Sequence, residues 1–242
     1  MKLLVDQGNT AVKLGLFDNK KLISKAVFLN DEFGFAQQWL QTNVVAPVDV
    51  LLCSVVEKEF ELAAIPASSF FRLDADTKLP IKNKYKTPKT LGKDRLANGV
   101  ACWSLNKKKN SLSIDLGTCI KYDIVTSDGT YIGGAISPGL AMRYKALHEF
   151  TDQLPLMENN VASHLYGTDT ESCIATGVKE GMINEINGFI ERYSKEFKGL
   201  TIFMTGGDAK FFDKAFKSTI FAHPDLTLTG LNEILRHNVQ KK

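Results

Sequence analysis

Two short stretches place a carboxylate two residues before a glycine that is itself followed by small polar residues: "DQGNT" at 6–10 and "DLGT" at 115–118. In a tight turn between two antiparallel strands, a glycine such as Gly8 can adopt positive φ and lets a ligand approach the backbone with no Cβ in the way. The amides of Gly8, Asn9 and Thr10 would then converge as a small anion-binding nest, with the Thr10 hydroxyl as a further donor. Phosphate oxygens suit such a nest. Asp6, at the strand end, is a poor direct contact for phosphate but a good holder of hydrated Mg²⁺, which takes one or two carboxylates plus substrate oxygens. A bare hairpin turn uses the same residue types, so one copy alone leaves both readings open. The two copies lie close to half the chain apart, with the same strand order around each, and this reads as an internal duplication. No G-x-x-x-x-G-K-[ST] stretch occurs and no G-x-G-x-x-G follows a strand, so an ATP site here would have to use the duplicated hairpins.

The elements that must carry these turns can be read from periodicity. Residues 3–5, 11–17 and 22–28 read as an opening meander of three strands, with "DNKK" as its second turn. "DEFGFAQQWLQTN" from Asp31 reads as a helix with an Asn or Asp cap, and "VDVLLCSVV" as a buried strand. A polar, lysine-rich connection leads to "LGKDRLANGVACWSLN", whose Leu96, Val100 and Trp103 share one helical face. The pattern restarts at Ser111 with "SLSIDLGTCIKYDIV" and "GTYIGGAIS" as strands, then helices over 139–150 and 169–197, the strand "LTIFMTGGD" and a closing helix from Leu231. The expected division is residues 1–110 and 111–242.

Composition narrows the function classes. The 242 residues are 44% hydrophobic, enough for a full core. Thirty basic and 27 acidic side chains give a formal charge of +3, too balanced to make nucleic acid or polyphosphate the expected partner. The one concentrated basic run, "NKKKN" at 106–110, reads as a solvated turn. Cys53, Cys102, Cys119 and Cys173 are scattered with no C-x-x-C pair, which suggests neither zinc nor disulfides and fits a reduced, cytoplasmic setting. Only Leu3 to Val5 precede Asp6, too short a run for a secretory signal, and no window approaches the ~18 apolar residues of a membrane span. His148, His164, His223 and His237 show no metal or triad spacing.

Five motifs in order, "DQGNT" at 6–10, "GKDR" at 92–95, "DLGT" at 115–118, "GGAISPG" at 133–139 and "TGGD" at 205–208, give the chain a family likeness. It resembles the type III pantothenate kinases, members of the actin, sugar kinase and Hsp70 ATPase superfamily, over essentially its whole length. The resemblance implies an α/β class with a duplicated ribonuclease H-like (actin-like ATPase) fold, two lobes and a central nucleotide cleft. It also implies a homodimer that uses ATP to phosphorylate the pantothenate hydroxyl, the first step of coenzyme A synthesis.

Carried over by motif, Asp6, Gln7, Gly8, Asn9, Thr10, Ala11, Val12 and Lys13 would form the first phosphate loop, with Asp6 near Mg²⁺. Thr118 would contact ATP, and "TGGD" would let adenosine or phosphate lie against bare backbone. Asp94 would be the catalytic base, with Gly92, Lys93 and Arg95 around pantothenate. Tyr85 and Thr170 would complete the pantothenate pocket, and Asp115 would bind a monovalent cation, K⁺ or NH₄⁺. The chemistry asked of Asp94 is modest: a loose phosphoryl-transfer transition state needs alignment and charge neutralisation more than a strong base. Arg95 offers a planar fork suited to a carboxylate.

The sequence departs from the family pattern in the second loop, where "DLGTCIKYD" has Cys119 in place of the usual alanine and Lys121 in place of the usual threonine. Cys119 is a small change. Lys121 puts a cation where ATP or an ion would bind. Two other classes remain compatible with the residues: a different phosphate-handling enzyme of the superfamily, such as a sugar kinase or polyphosphatase, and a non-catalytic accessory protein.

Overall fold

The structure is a computed structural model and describes residues 1–62, 65–212, 215–216 and 218–239. Two compact units result: Met1–Lys108 with Asp128–Ile132 and Asp225–Lys242, and Lys109–Ser127 with Gly133–Pro224. A cut of the chain at residue 110 would assign the terminal helix to the second unit, whereas its contacts assign it to the first.

The first unit is built on a five-stranded sheet. Strands β1 (Lys2–Gln7), β2 (Ala11–Asp18) and β3 (Lys21–Leu29) form the expected meander. After α1 (Phe33–Asn43) come β4 (Val48–Ser54) and β5 (Ala67–Arg72), giving the order β3-β2-β1-β4-β5. β1 pairs antiparallel with β2 and parallel with β4. It is the central strand, and Leu3 to Gln7 are buried without a break, which is why it reads as an apolar run rather than an alternation. Leu3, Val5, Val12 and Leu14 pack with Ala36 and Leu40 of α1. The intervening residues belong to the other face, along which the terminal helix α5 (Leu226–Val239) packs on β1 and β4.

Helix α2 (Lys93–Leu105) packs chiefly on α5. A Cβ at Gly230 would lie 1.8 Å from the Ala97 carbonyl oxygen, so the close crossing of these helices requires glycine there. This also explains why α5 starts at Leu226 and not Leu231: Gly230 is an interior packing position, not a boundary. The short β6 (Lys82–Asn83) pairs in parallel with Thr130–Tyr131, the start of β9 (Thr130–Pro138), which begins in the first unit and continues in the second.

The second unit repeats the strand–turn–strand opening. β7 (Ser111–Leu116) pairs antiparallel with β8 (Cys119–Val125), and β10 (Thr201–Thr205) adds in parallel on the other side of β7, followed by β11 (Ile220–Ala222). Ile114, Ile120 and Tyr122 pack with Leu140 and Tyr144 of α3 (Leu140–Glu149) and with Ile174, Met182 and Ile186 of α4 (Thr170–Glu196). α4 is started by a capping box: Asp169 accepts from the Ser172 amide and the Ser172 hydroxyl accepts from the Asp169 amide.

Lys107, Lys108 and Lys109 are exposed, as expected of a surface turn. All four cysteines are free thiols, with Cys53 and Cys102 buried. No helix among the described residues is long and apolar enough to cross a membrane.

Candidate active site

In the first unit Asp6 stands at the end of β1, 5% exposed, directly across the ladder from Lys13. The Lys13 ammonium lies 3.5 Å from Asp6 Oδ2. The turn between them differs from the expectation in two ways. Gly8 is not among the described glycines with positive φ, which are Gly129, Gly133, Gly199 and Gly206. Its amide donates to the Ala11 carbonyl at 2.9 Å, which removes one of three donors from the expected nest. The turn is clamped by Asn30, whose Nδ2 donates to the carbonyls of Gly8 and Asn9, each at 3.0 Å. The neighbouring loop residues split by role. Asn9 and Thr10 are exposed, Ala11 and Lys13 are half-buried, and Val12 is fully buried in the core. Gln7 is buried and its amide is consumed internally: Nε2 donates to Lys58, and Oε1 accepts from the Phe60 amide at 2.7 Å.

The "GKDR" stretch forms the head of α2, with Gly92 as N-cap and Lys93, Asp94 and Arg95 in the first turn. A carboxylate here is favoured by the helix dipole. Asp94 Oδ1 accepts from the Arg95 amide at 2.8 Å, and a Cβ on Gly92 would stand 2.7 Å from that same oxygen, so the carboxylate folds back over the bare cap residue. Arg95 is 4% exposed, and its guanidinium lies 5.8 Å from the centroid of the Tyr85 ring. Tyr85 is held in turn by its amide bond to Asn83 Oδ1 and by ring contact with Tyr131. The fold therefore joins Tyr85 to the "GKDR" group although nothing in local periodicity links them. Asn98, one turn further along α2, is buried; its Oδ1 accepts from Thr227, and its Nδ2 has no hydrogen-bond partner among the described residues.

In the second unit three of the motifs meet. Asp115 pairs in register with Thr205, which starts "TGGD". Gly206 has φ +100°, and a Cβ there would lie 2.2 Å from the Leu116 carbonyl oxygen, so only glycine lets this turn lie against the "DLGT" strand. From the other side Gly139, the last residue of "GGAISPG", donates its amide to the Thr118 carbonyl at 3.1 Å. Asp208 is pushed above the usual carboxylate range by burial, with Lys210 opposing and the nearby Asp115 carboxylate reinforcing the shift. A cavity of about 590 Å³ opens beside this cluster, with Thr205, Gly206, Gly207, Lys210, Phe212 and Phe216 among its lining residues. That size and mostly apolar lining fit a small organic ligand. Across the ladder from Asp115 sits Lys121, its ammonium 2.7 Å from Asp115 Oδ2.

These contacts coincide with a family match. The sequence matches the profile of the type III pantothenate kinases over residues 2–192. A relative from Christiangramia forsetii described as a type III pantothenate kinase is 44% identical over 240 residues, covering 98% of this chain and 99% of its own. The chain belongs to the type III pantothenate kinase family. Among solved structures, component A of the (R)-2-hydroxyglutaryl-CoA dehydratase of Acidaminococcus fermentans is similar with a TM-score of 0.56 at 14% identity, covering 100% of this chain and 99% of that one. A glucokinase from an Antarctic psychrotroph is similar with a TM-score of 0.51 at 11% identity and 98% coverage of each. These likenesses bear on the fold, which is the duplicated actin-like α/β arrangement expected from the sequence.

For a type III pantothenate kinase, the first unit offers a carboxylate at a helix head beside a buried arginine and a tyrosine, and the second offers a glycine-lined turn beside a cavity. Thr170 is exposed at the first position of α4. Two supports were not visible in the motifs. Asn30 braces the first turn. Glu185 of α4 accepts from Tyr122 at 3.0 Å, from Ser137 at 2.5 Å and from Arg143 at 2.5 Å, tying the end of "GGAISPG" to α3 and α4. Burial would push the Glu185 carboxyl up, but these three donors outweigh it and hold the group below its ordinary range.

Proposed function

We propose that this pantothenate kinase places the pantothenate hydroxyl against Asp94 and passes to it the γ-phosphoryl group of ATP, the first step of coenzyme A synthesis. The observation that carries the assignment is the group at the head of α2: Asp94 folded over Gly92, with Arg95 buried under Tyr85. Asp94 accepts a hydrogen bond from the alcohol, orients its oxygen for in-line attack and takes its proton as the new P–O bond forms and the bond to the ADP oxygen breaks. Arg95, with Tyr85 limiting its movement, faces the carboxylate of pantothenate, because a bidentate guanidinium discriminates planar anions. Gly92 and Lys93 lie beside the same substrate, and Thr170 is the further residue that the family resemblance assigns to pantothenate.

The Asp6–Lys13 turn of the first unit and the "DLGT" turn of the second, with Thr118, are each candidate contacts for ATP phosphates. The cavity beside Gly206 and Gly207 receives the nucleoside. Asp6, a nearly buried carboxylate at the end of β1, is the residue that would hold hydrated Mg²⁺, an ion that takes one or two carboxylates plus substrate oxygens. Mg²⁺ there would neutralise charge on the phosphate oxygens. The enzyme acts in the cytoplasm as a homodimer.

ADP release measured with pantothenate, and separately with a panel of hexoses, tests the substrate. Stimulation by pantothenate alone is the expected result. Stimulation by a sugar and not by pantothenate overturns it, and no stimulation by either favours a non-catalytic protein.

A further inference from the structure

The monovalent cation that the family resemblance implies at Asp115 does not fit the side chains there. K⁺ or NH₄⁺ would need the Asp115 carboxylate as its charged ligand, yet Oδ2 of that carboxylate already accepts the Lys121 ammonium at 2.7 Å. That is the length of a charge-assisted hydrogen bond. The two side chains are 18% and 11% exposed, so dissolved salt screens the pair weakly. The contact also follows from the backbone: the antiparallel register sets Lys121 directly opposite Asp115 on the same face of the hairpin. A second cation brought to this carboxylate would sit against the ammonium and be repelled.

The first turn gives an internal comparison. There Lys13 also opposes Asp6, but its ammonium lies 3.5 Å away and its side chain is 35% exposed. The tight, sheltered version occurs where the resemblance implies a soluble ion. Thr118, the last residue of "DLGT", is fixed at the same place, its carbonyl accepting from the Gly139 amide.

We infer that Lys121 is the resident cation of the second phosphate turn. It acts as a positioning residue: its ammonium neutralises Asp115 against an incoming phosphate group, so that ATP binding and turnover need neither potassium nor ammonium. A tethered ammonium carries the same unit charge as K⁺ and is present at every salt concentration. This inference rests on the reading that ATP binds at the "DLGT" turn.

The test is calorimetric titration of ATP into the full chain in KCl, in NH₄Cl and in tetramethylammonium chloride at equal ionic strength, since tetramethylammonium is too bulky to substitute for K⁺ in a carboxylate site. The wild-type affinity is expected to agree within about twofold across the three salts. Lys121→Ala is expected to bind ATP about tenfold or more weakly in tetramethylammonium chloride, the loss typical of removing a hydrogen bond to a charged group. KCl or NH₄Cl should restore much of it, because a small ion can then reach Asp115, whereas Lys121→Arg should stay salt-independent. A merely structural lysine would give no such rescue. A wild-type affinity that rises tenfold with K⁺ overturns the inference, as does a Lys121→Ala protein whose affinity is unchanged in tetramethylammonium chloride. Should that variant fail to fold, the wild-type comparison decides alone. Pantothenate-dependent ADP release in the same salts separates the two readings: potassium-dependent turnover defeats the role of Lys121 and leaves the kinase, whereas no ATP binding in any salt defeats both.

Discussion

Asp94→Asn separates chemistry from architecture because the role proposed for Asp94 and its place in the fold predict effects of very different sizes. Loss of a positioned proton acceptor lowers turnover by about 10²–10⁴-fold. The structural cost is small. Asparagine keeps the oxygen that accepts from the Arg95 amide at 2.8 Å, and it is no larger than the carboxylate folded over Gly92. What is lost is a negative charge in the first turn of α2, worth about 0.3–1 kcal/mol at a helix N-terminus. For a chain of this size that corresponds to a thermal midpoint lowered by no more than about 4 °C.

The assay is pantothenate-dependent ADP release, with ATP affinity by calorimetry and a thermal melt on the same preparation. Turnover should fall by at least about a hundredfold, while ATP affinity stays near wild type. Gly92→Ala supplies a companion with no change of charge: its methyl would stand 2.7 Å from Asp94 Oδ1, so the carboxylate must swing away and turnover should fall as well. Asp94→Asn with turnover within about threefold of wild type refutes the assignment, since a positioned acceptor is worth far more. A large loss of stability alongside the lost turnover refutes the packing part of the reasoning.

Two further perturbations probe the turns. Asn30→Ala removes both side-chain bonds to the Gly8 and Asn9 carbonyls and should cost about 1–2 kcal/mol, with weaker ATP binding, read from a denaturant midpoint and a calorimetric titration. Asp208→Asn should stabilise the protein at neutral pH. The folded Asp208 carboxyl sits above its ordinary range, through burial first and the Asp115 charge second, so its ionisation costs more folded than unfolded. Its contribution is fully present below the unfolded carboxyl value and is lost as pH rises through the folded one. The gap between variant and wild type should therefore open between acid and neutral denaturation midpoints and close in acid, and a gap independent of pH would refute the account.

Legibility in the sequence followed the range of the interactions. The meander, β4, α2 and the β7–β8 hairpin could be read because each is set by a local period of two or 3.6, and the motif turns because glycine and aspartate mark them. β5 falls within the polar, lysine-rich connection of the sequence: "ASSFFR" is largely exposed on an edge strand, which weakens its alternation. β11 has three residues, too few for any period. The α1 cap also departs from the reading, since neither Asn30 nor Asp31 caps the helix and Glu32 instead reaches back to the Leu29 amide. At the site, "GKDR" was visible as a motif, but the burial of Arg95 under Tyr85 depends on chain between them that carries no period. Asn30 and Glu185 bond across 21 to 63 positions, a separation at which one chain offers no signal.

The Asp–Lys opposition is informative because offset in sequence does not produce it. β1 and β2 pair Gln7 with Val12 across four intervening residues, whereas β7 and β8 pair Leu116 with Ile120 across three. A lysine kept at a constant distance along the chain would land one position out in one of the hairpins and, with a period of two, on the opposite face of the strand. In both hairpins the lysine instead stands directly across from the aspartate. The specified quantity is thus the pair and not the spacing. A turn that must neutralise its own carboxylate before it can receive phosphate would need such a pair, and the shorter hairpin closes it from 3.5 to 2.7 Å.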